Sequence, residues 1–99
     1  MIIKNGVQVV GLQKEIITAL PTIDNVISSV ASYLVITSAL DGKHMAGSMH
    51  YKGLAIDVRL PSVEKVANMH IVSILRDRLG FNYDVVLESN HIHIEYDPE

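Results

Sequence analysis

Two alternating runs near the end of the chain, Tyr83 to Glu88 and His91 to Asp97, are separated only by Ser89 and Asn90. A two-residue connection between such runs is the commonest β-hairpin, and it sets the register of both strands. Asn90 suits the left-handed conformation that such turns favour. The register then puts Glu88 opposite His91 and Val86 opposite His93. One sheet face carries Asp84, Val86, Glu88, His91, His93 and Glu95, and the other carries Val85, Leu87, Ile92, Ile94 and Tyr96. The apolar face needs a cover of helices. The polar face is left to line whatever the protein binds.

A second alternating run, Leu54 to Leu60, repeats this design. Leu54, Ile56, Val58 and Leu60 share one side, while Ala55, Asp57 and Arg59 share the other. Tyr33 to Thr37 is β-branched and predicts the first strand of the sheet, and residues 1–9 form a short strand or an extended lead-in. The loop from Ser38 to Gly47 carries His44. Leu12, Ile16, Ile17 and Leu20 recur at helical spacing up to Pro21, which is expected to end that helix. Thr22 then caps a second helix bearing Ile23, Val26, Ile27 and Val30. After Pro61, Ser62 is an N-cap for a helix with Val63, Val66, Ala67, Ile71, Ile74, Leu75 and Leu79 on one face, closed by Gly80. His70 lies beside that face and has no partner at metal-ligand spacing. The prediction is one α+β domain over residues 1–99, a small antiparallel sheet packed against helices.

The function classes narrow by exclusion. A net charge of −3 leaves no basic surface, which disfavours nucleic acid as a partner. No run approaches the roughly 20 apolar residues that span a bilayer, so no membrane partner is expected. The start, Met1 to Gly6, lacks the basic, apolar and small-residue segments of a secretory signal. The expectation is synthesis in the cytoplasm. The sequence contains no cysteine, so any metal must be held by His, Asp or Glu, a set that suits a catalytic rather than a structural zinc.

Three histidines and several carboxylates lie in the two strand-forming stretches. A hydrolytic zinc site takes three N/O ligands, keeps one position open, and has a general base beside it. His50, Asp57 and His93 are the candidate ligands of one zinc ion. Glu88, or a neighbour on the same face, is the candidate base. His91 and His44 are candidates to steady an oxyanion.

The stretch Ser48-Met49-His50-Tyr51-Lys52-Gly53-Leu54-Ala55-Ile56-Asp57 resembles the Ser-x-His-x-x-Gly-x-Ala-x-Asp motif of the LAS metallopeptidases. That group includes zinc D-alanyl-D-alanine carboxypeptidases, L-alanyl-D-glutamate endopeptidases of phage endolysins, and the hedgehog signalling domain. His91-Ile92-His93 resembles the group's His-x-His, and the wording around His44 and Glu88-Ser89 is similar to hedgehog. The resemblance covers roughly residues 35–96. It implies a hedgehog/DD-peptidase-like fold, one zinc, and cleavage of peptidoglycan stem peptides by a phage or prophage endolysin-like enzyme. Such an enzyme acts at the cell wall after release or as a virion component. The chain departs from the pattern in three places. Asn90 stands where many members have an acid three residues before the last ligand, and the segment before His-x-His is one residue shorter than in hedgehog. Ala39-Leu40-Asp41 stands where carboxypeptidase-like members have an Arg, leaving Lys43 or Arg59 as substitutes. These departures motivate a second reading, a zinc-binding interaction module of the same fold without turnover. A third leaves the histidines solvated on a structural protein.

Overall fold

Strand pairing brings the two informative stretches together. The computed structural model describes residues 1–42, 44 and 46–98. In chain order the elements are β1 (Ile2–Ile3), α1 (Lys14–Ile27), β2 (Val35–Ser38), a 3₁₀ turn (Met49–Lys52), β3 (Ala55–Arg59), α2 (Lys65–Leu79), β4 (Tyr83–Leu87) and β5 (His91–Tyr96). The strands form one sheet in the order β1-β2-β3-β5-β4. Four of them, β2-β3-β5-β4, are antiparallel as expected, but β1 joins β2 in parallel. The sheet is therefore mixed. The cause is connectivity, since a helix between two neighbouring strands carries the chain back to the same end.

The hairpin has the predicted register: Val86 pairs with His93, Leu87 with Ile92, and the Glu88 N–H donates to the His91 carbonyl at 2.9 Å. The turn itself differs from expectation. Among the described residues only glycines have positive φ, so Asn90 is not left-handed and the connection closes as a turn that does not require it. The apolar face packs inward as predicted. Val85, Ile92 and Ile94, with Ile56 and Val58 of β3, meet Ile16, Ile23 and Ile27 of α1 and Ile71 and Leu75 of α2.

The first helical region is one helix, not two. Pro21 lies inside α1, and Thr22 caps nothing. The buried positions Ile16, Ala19, Ile23, Val26 and Ile27 run through the proline without losing phase. An interior proline costs about 3 kcal/mol, whereas burying one large aliphatic side chain contributes roughly 1.5–3 kcal/mol. Three such side chains lie beyond Pro21, so continuity of the buried stripe wins.

At the start of α2, Val63 and Val66 are exposed instead of facing the core. The helix begins only at Lys65. Buried Asn68 reaches back to the Ser62 backbone, accepting from its N–H at 3.0 Å and donating to its carbonyl at 2.9 Å. That pair satisfies the polar groups at the turn, so the apolar face begins one turn later, at Ile71, Val72 and Leu75. His70 is exposed. No helix among the described residues is long and apolar enough to cross a membrane.

Candidate metal centre

The central rung of the sheet holds the site. Asp57 of β3 pairs directly with His93 of β5, which pairs in turn with Val86 of β4. Side chains opposite each other across a pair stand close on the same face, and His93 Nδ1 lies 3.0 Å from Asp57 Oδ1.

His50 arrives from the 3₁₀ turn. Ser48 opens that turn by accepting the His50 N–H on its hydroxyl, and Gly53 closes it with φ of 72°. The turn drives the imidazole into the protein, leaving it 2% exposed. Its Nε2 lies 3.2 Å from the same Asp57 Oδ1. One atom each from His50, Asp57 and His93 lie within 4.8 Å of one another.

The outer nitrogens determine what the inner ones can do. His50 Nδ1 is 2.7 Å from the Ala39 carbonyl, an acceptor only, so this nitrogen is an N–H donor and Nε2 carries the lone pair of the neutral ring. His93 Nε2 is 2.7 Å from a Glu95 carboxylate oxygen, so the neutral ring there turns its Nδ1 lone pair toward Asp57. Three electron-rich atoms thus converge with no donor of their own between them. Only a cation satisfies them, whether protons on the imidazoles or a metal ion. Zinc bonded at about 2.0–2.2 Å in a tetrahedral site separates its ligand atoms by about 3.3 Å. The 3.0 and 3.2 Å separations here are close to that value. The chemistry of the donor set and the second partners on each ring fit a metal ion.

Without a metal, protons on the imidazoles take the cation's place. Burial alone would raise the Asp57 carboxyl, but hydrogen bonds from protonated His50 and His93 and the charges of His50 and His91 outweigh it. The carboxyl is held well below the usual carboxylate range. The hydrogen bond to Asp57 pushes the His93 imidazole up against the opposing effect of burial, with Glu95 adding to the rise.

The surrounding histidines are also gathered here. His91 Nε2 lies 3.6 Å from Asp57 Oδ1, and its Nδ1 meets the side-chain oxygen of Asn90 at 2.6 Å. His44 stacks on His50 with ring centroids 3.9 Å apart and an interplanar angle of 6°. It is held by Nε2 on the Asp41 carbonyl at 2.9 Å and by the Tyr51 hydroxyl, which accepts from the His44 N–H at 2.6 Å. Asp41 lies three residues beyond β2. Its carboxylate accepts the N–H groups of Gln8 and Ala39, both at 2.9 Å, while the Leu40 N–H, in the same peptide unit as the Ala39 carbonyl that orients His50, donates to the Gln8 carbonyl at 3.0 Å.

Glu88 stands apart from this cluster. It is one diagonal step from His93, exposed, and lines a groove of about 690 Å³ with Leu60, Ser62, Val63, Asn68 and Leu87. None of the three candidate ligands lines that groove. Arg59 pairs with His91 and is exposed; Lys43 lies outside the described residues. Two partners escaped the sequence reading of the site. Glu95 was detectable, being two residues beyond His93 on the same face. The Ala39 carbonyl was not, because every residue has one.

No family model, curated protein or solved structure matches the chain.

Proposed function

We propose that the protein is a zinc-dependent peptidase that cleaves the stem peptides of bacterial peptidoglycan, built on a hedgehog/DD-peptidase-like fold. The observation that supports it most is the meeting of the His50, Asp57 and His93 acceptor atoms, each imidazole already oriented by a second partner. The His93 and His91 side chains keep 19% and 28% exposure, so a ligand can reach the site from their side. When bound, zinc supplies a Lewis acid that polarises a carbonyl and makes water more acidic.

The chain's own groups carry the remaining roles in this reading. Glu88, reaching over from its groove one diagonal step from His93, accepts the proton of the attacking water as the new C–O bond forms, and returns it to the leaving amine as the peptide C–N bond then breaks. His91, whose Nε2 reaches the centre, steadies the oxyanion as the imidazolium, while His44 spends its Nε2–H on the Asp41 carbonyl and backs the His50 ring instead. Arg59, on the same face two rungs away, takes a substrate carboxylate.

Purified protein should contain close to one equivalent of zinc and release cleaved stem peptides from cell-wall digests, read by mass analysis. Glu88→Gln should retain the zinc and lose turnover. Full activity in that variant removes Glu88 from the base role. Less than a tenth of an equivalent of metal, with no uptake on adding zinc, rejects the metal reading altogether.

A second reading, a zinc-bearing interaction module, is favoured by one observation. Asn90, at the position of the acid in many relatives of the motif, spends its side-chain oxygen on His91. Zinc uptake with stem peptides left intact would select this reading.

A further inference from the structure

We infer that Glu95 is a positioning residue of the metal centre, holding His93 so that Nδ1 is the atom it presents to the cation. The inference rests on the metal reading above and not on peptidase activity. Glu95 Oε1 lies 2.7 Å from His93 Nε2, a separation typical of a hydrogen bond to a charged acceptor. Both side chains are largely shielded, at 19% and 21% exposure, so water competes weakly for the bond.

The strand architecture sets up this contact. Residues two apart on a strand point to the same side about 6.6 Å apart, a gap that a glutamate spans toward a neighbouring imidazole. Across β3 the residue paired with Glu95 is Ala55, fully buried and with only a methyl group, so nothing bulky on that side displaces the carboxylate.

The two histidine ligands differ in how they are held. His50 is buried and needs only a carbonyl to fix its tautomer. His93 sits at the accessible edge, where its ring could take the other tautomer, with the proton on Nδ1. That tautomer would set the Nε2 lone pair against the Glu95 carboxylate and bring the Nδ1–H toward the cation, whereas turning the ring over would put carbon at both places. Glu95 therefore selects the ligating atom at the more exposed of the two imidazoles. Partners of this kind are worth about 10–100-fold in metal affinity.

The test uses the full chain and zinc alone. Zinc affinity is measured by competition with a chromophoric chelator at fixed pH, and the ligating nitrogen of His93 is read from long-range ¹⁵N spectra of the zinc-loaded protein. Glu95→Ala should bind zinc 10–100-fold more weakly, with His93 no longer confined to Nδ1. Glu95→Gln, whose amide oxygen still accepts the Nε2–H, should fall between the two and keep Nδ1 coordination. If Glu95→Ala does not fold, the isosteric Gln variant decides through its affinity. A purely structural role would lower the unfolding temperature without moving either readout of the folded protein. Wild type that binds zinc while both variants stay within twofold of it overturns the role of Glu95 alone. Wild type that binds no zinc overturns this inference together with the metal reading.

Discussion

Replacing Gly53 with alanine tests whether the turn geometry, rather than the ligand residues alone, builds the centre. Gly53 has φ of +72°, in the left-handed region. An added Cβ would collide with the Gly11 carbonyl oxygen and stand 3.1 Å from the Gly11 carbonyl carbon and 3.3 Å from Leu12 Cα. All three atoms are backbone, so no side chain can turn aside. The Gly53 carbonyl also accepts the Gln13 N–H at 2.8 Å, tying the turn to the start of α1. A left-handed alanine costs about 1–2 kcal/mol, and forced overpacking typically adds about 1–3 kcal/mol. A loss near 3 kcal/mol lowers the Tm of a domain this size by roughly 12–24 °C. The turn that moves is the one carrying His50, three residues earlier, so zinc affinity should fall with stability. Thermal unfolding in EDTA and zinc competition measure the two effects. A variant with unchanged Tm and unchanged affinity would refute the claim that this close approach positions His50.

Two further predictions concern the scaffold and the charge balance. Pro21→Ala restores an N–H to the middle of α1 at an exposed site. It should stabilise the protein by about 1–2 kcal/mol after allowing for the looser unfolded chain, and a lower urea midpoint than wild type would show that the ring is needed where it is. In metal-free protein the raised His93 contributes stability that is full below its ordinary 6.5 and fades as pH rises through its folded value. The lowered Asp57 contributes stability present above 3.8 and lost as pH falls through its folded value. Urea unfolding in EDTA should therefore peak between these limits, and saturating zinc should remove the alkaline decline; stability that climbs steadily to pH 8 without metal would contradict the His93 shift, and stability that does not fall toward acid pH would contradict the Asp57 shift.

The parts of the fold that could be read from sequence are those governed by local alternation. The hairpin register followed from a two-residue turn and a buried face, because a slip of one residue would have exposed Ile92 and Ile94 and buried His91 and His93. The helices were harder to bound. Pro21 has a strong local preference against a helix interior, but the stripe Ile16, Ala19, Ile23, Val26, Ile27 is a tertiary quantity, and its burial overrode the local rule. Val63 and Val66 failed for the opposite reason: their spacing fits the helical face, but Asn68 spends the first turn closing on Ser62. The parallel pairing of the two-residue β1 has no local signal at all.

The site was legible to the extent that its geometry reduces to a strand rung. Asp57 and His93 are 36 residues apart, yet direct pairing of β3 with β5 makes them neighbours without help from any long loop. Whatever moves elsewhere, those two candidate ligands keep their spacing while the central pair of strands is intact. His50 depends instead on a chain of backbone contacts: Ser48 and Gly53 bracket its turn, and the carbonyl of Ala39, a residue whose N–H Asp41 holds, aligns its ring. The β2–β3 register also shifts between Ile36 and Ser38, so that Ser38 pairs with Asp57 just before the chain turns off at Ala39. Irregular pairing of this kind re-aims the residues that follow it. The centre thus joins two candidate ligands set by regular sheet geometry to a third set by an irregularity beside them. Damage to the irregular part, at Gly53, Ala39 or Asp41, should weaken zinc binding through His50 alone and leave the Asp57–His93 contact in place.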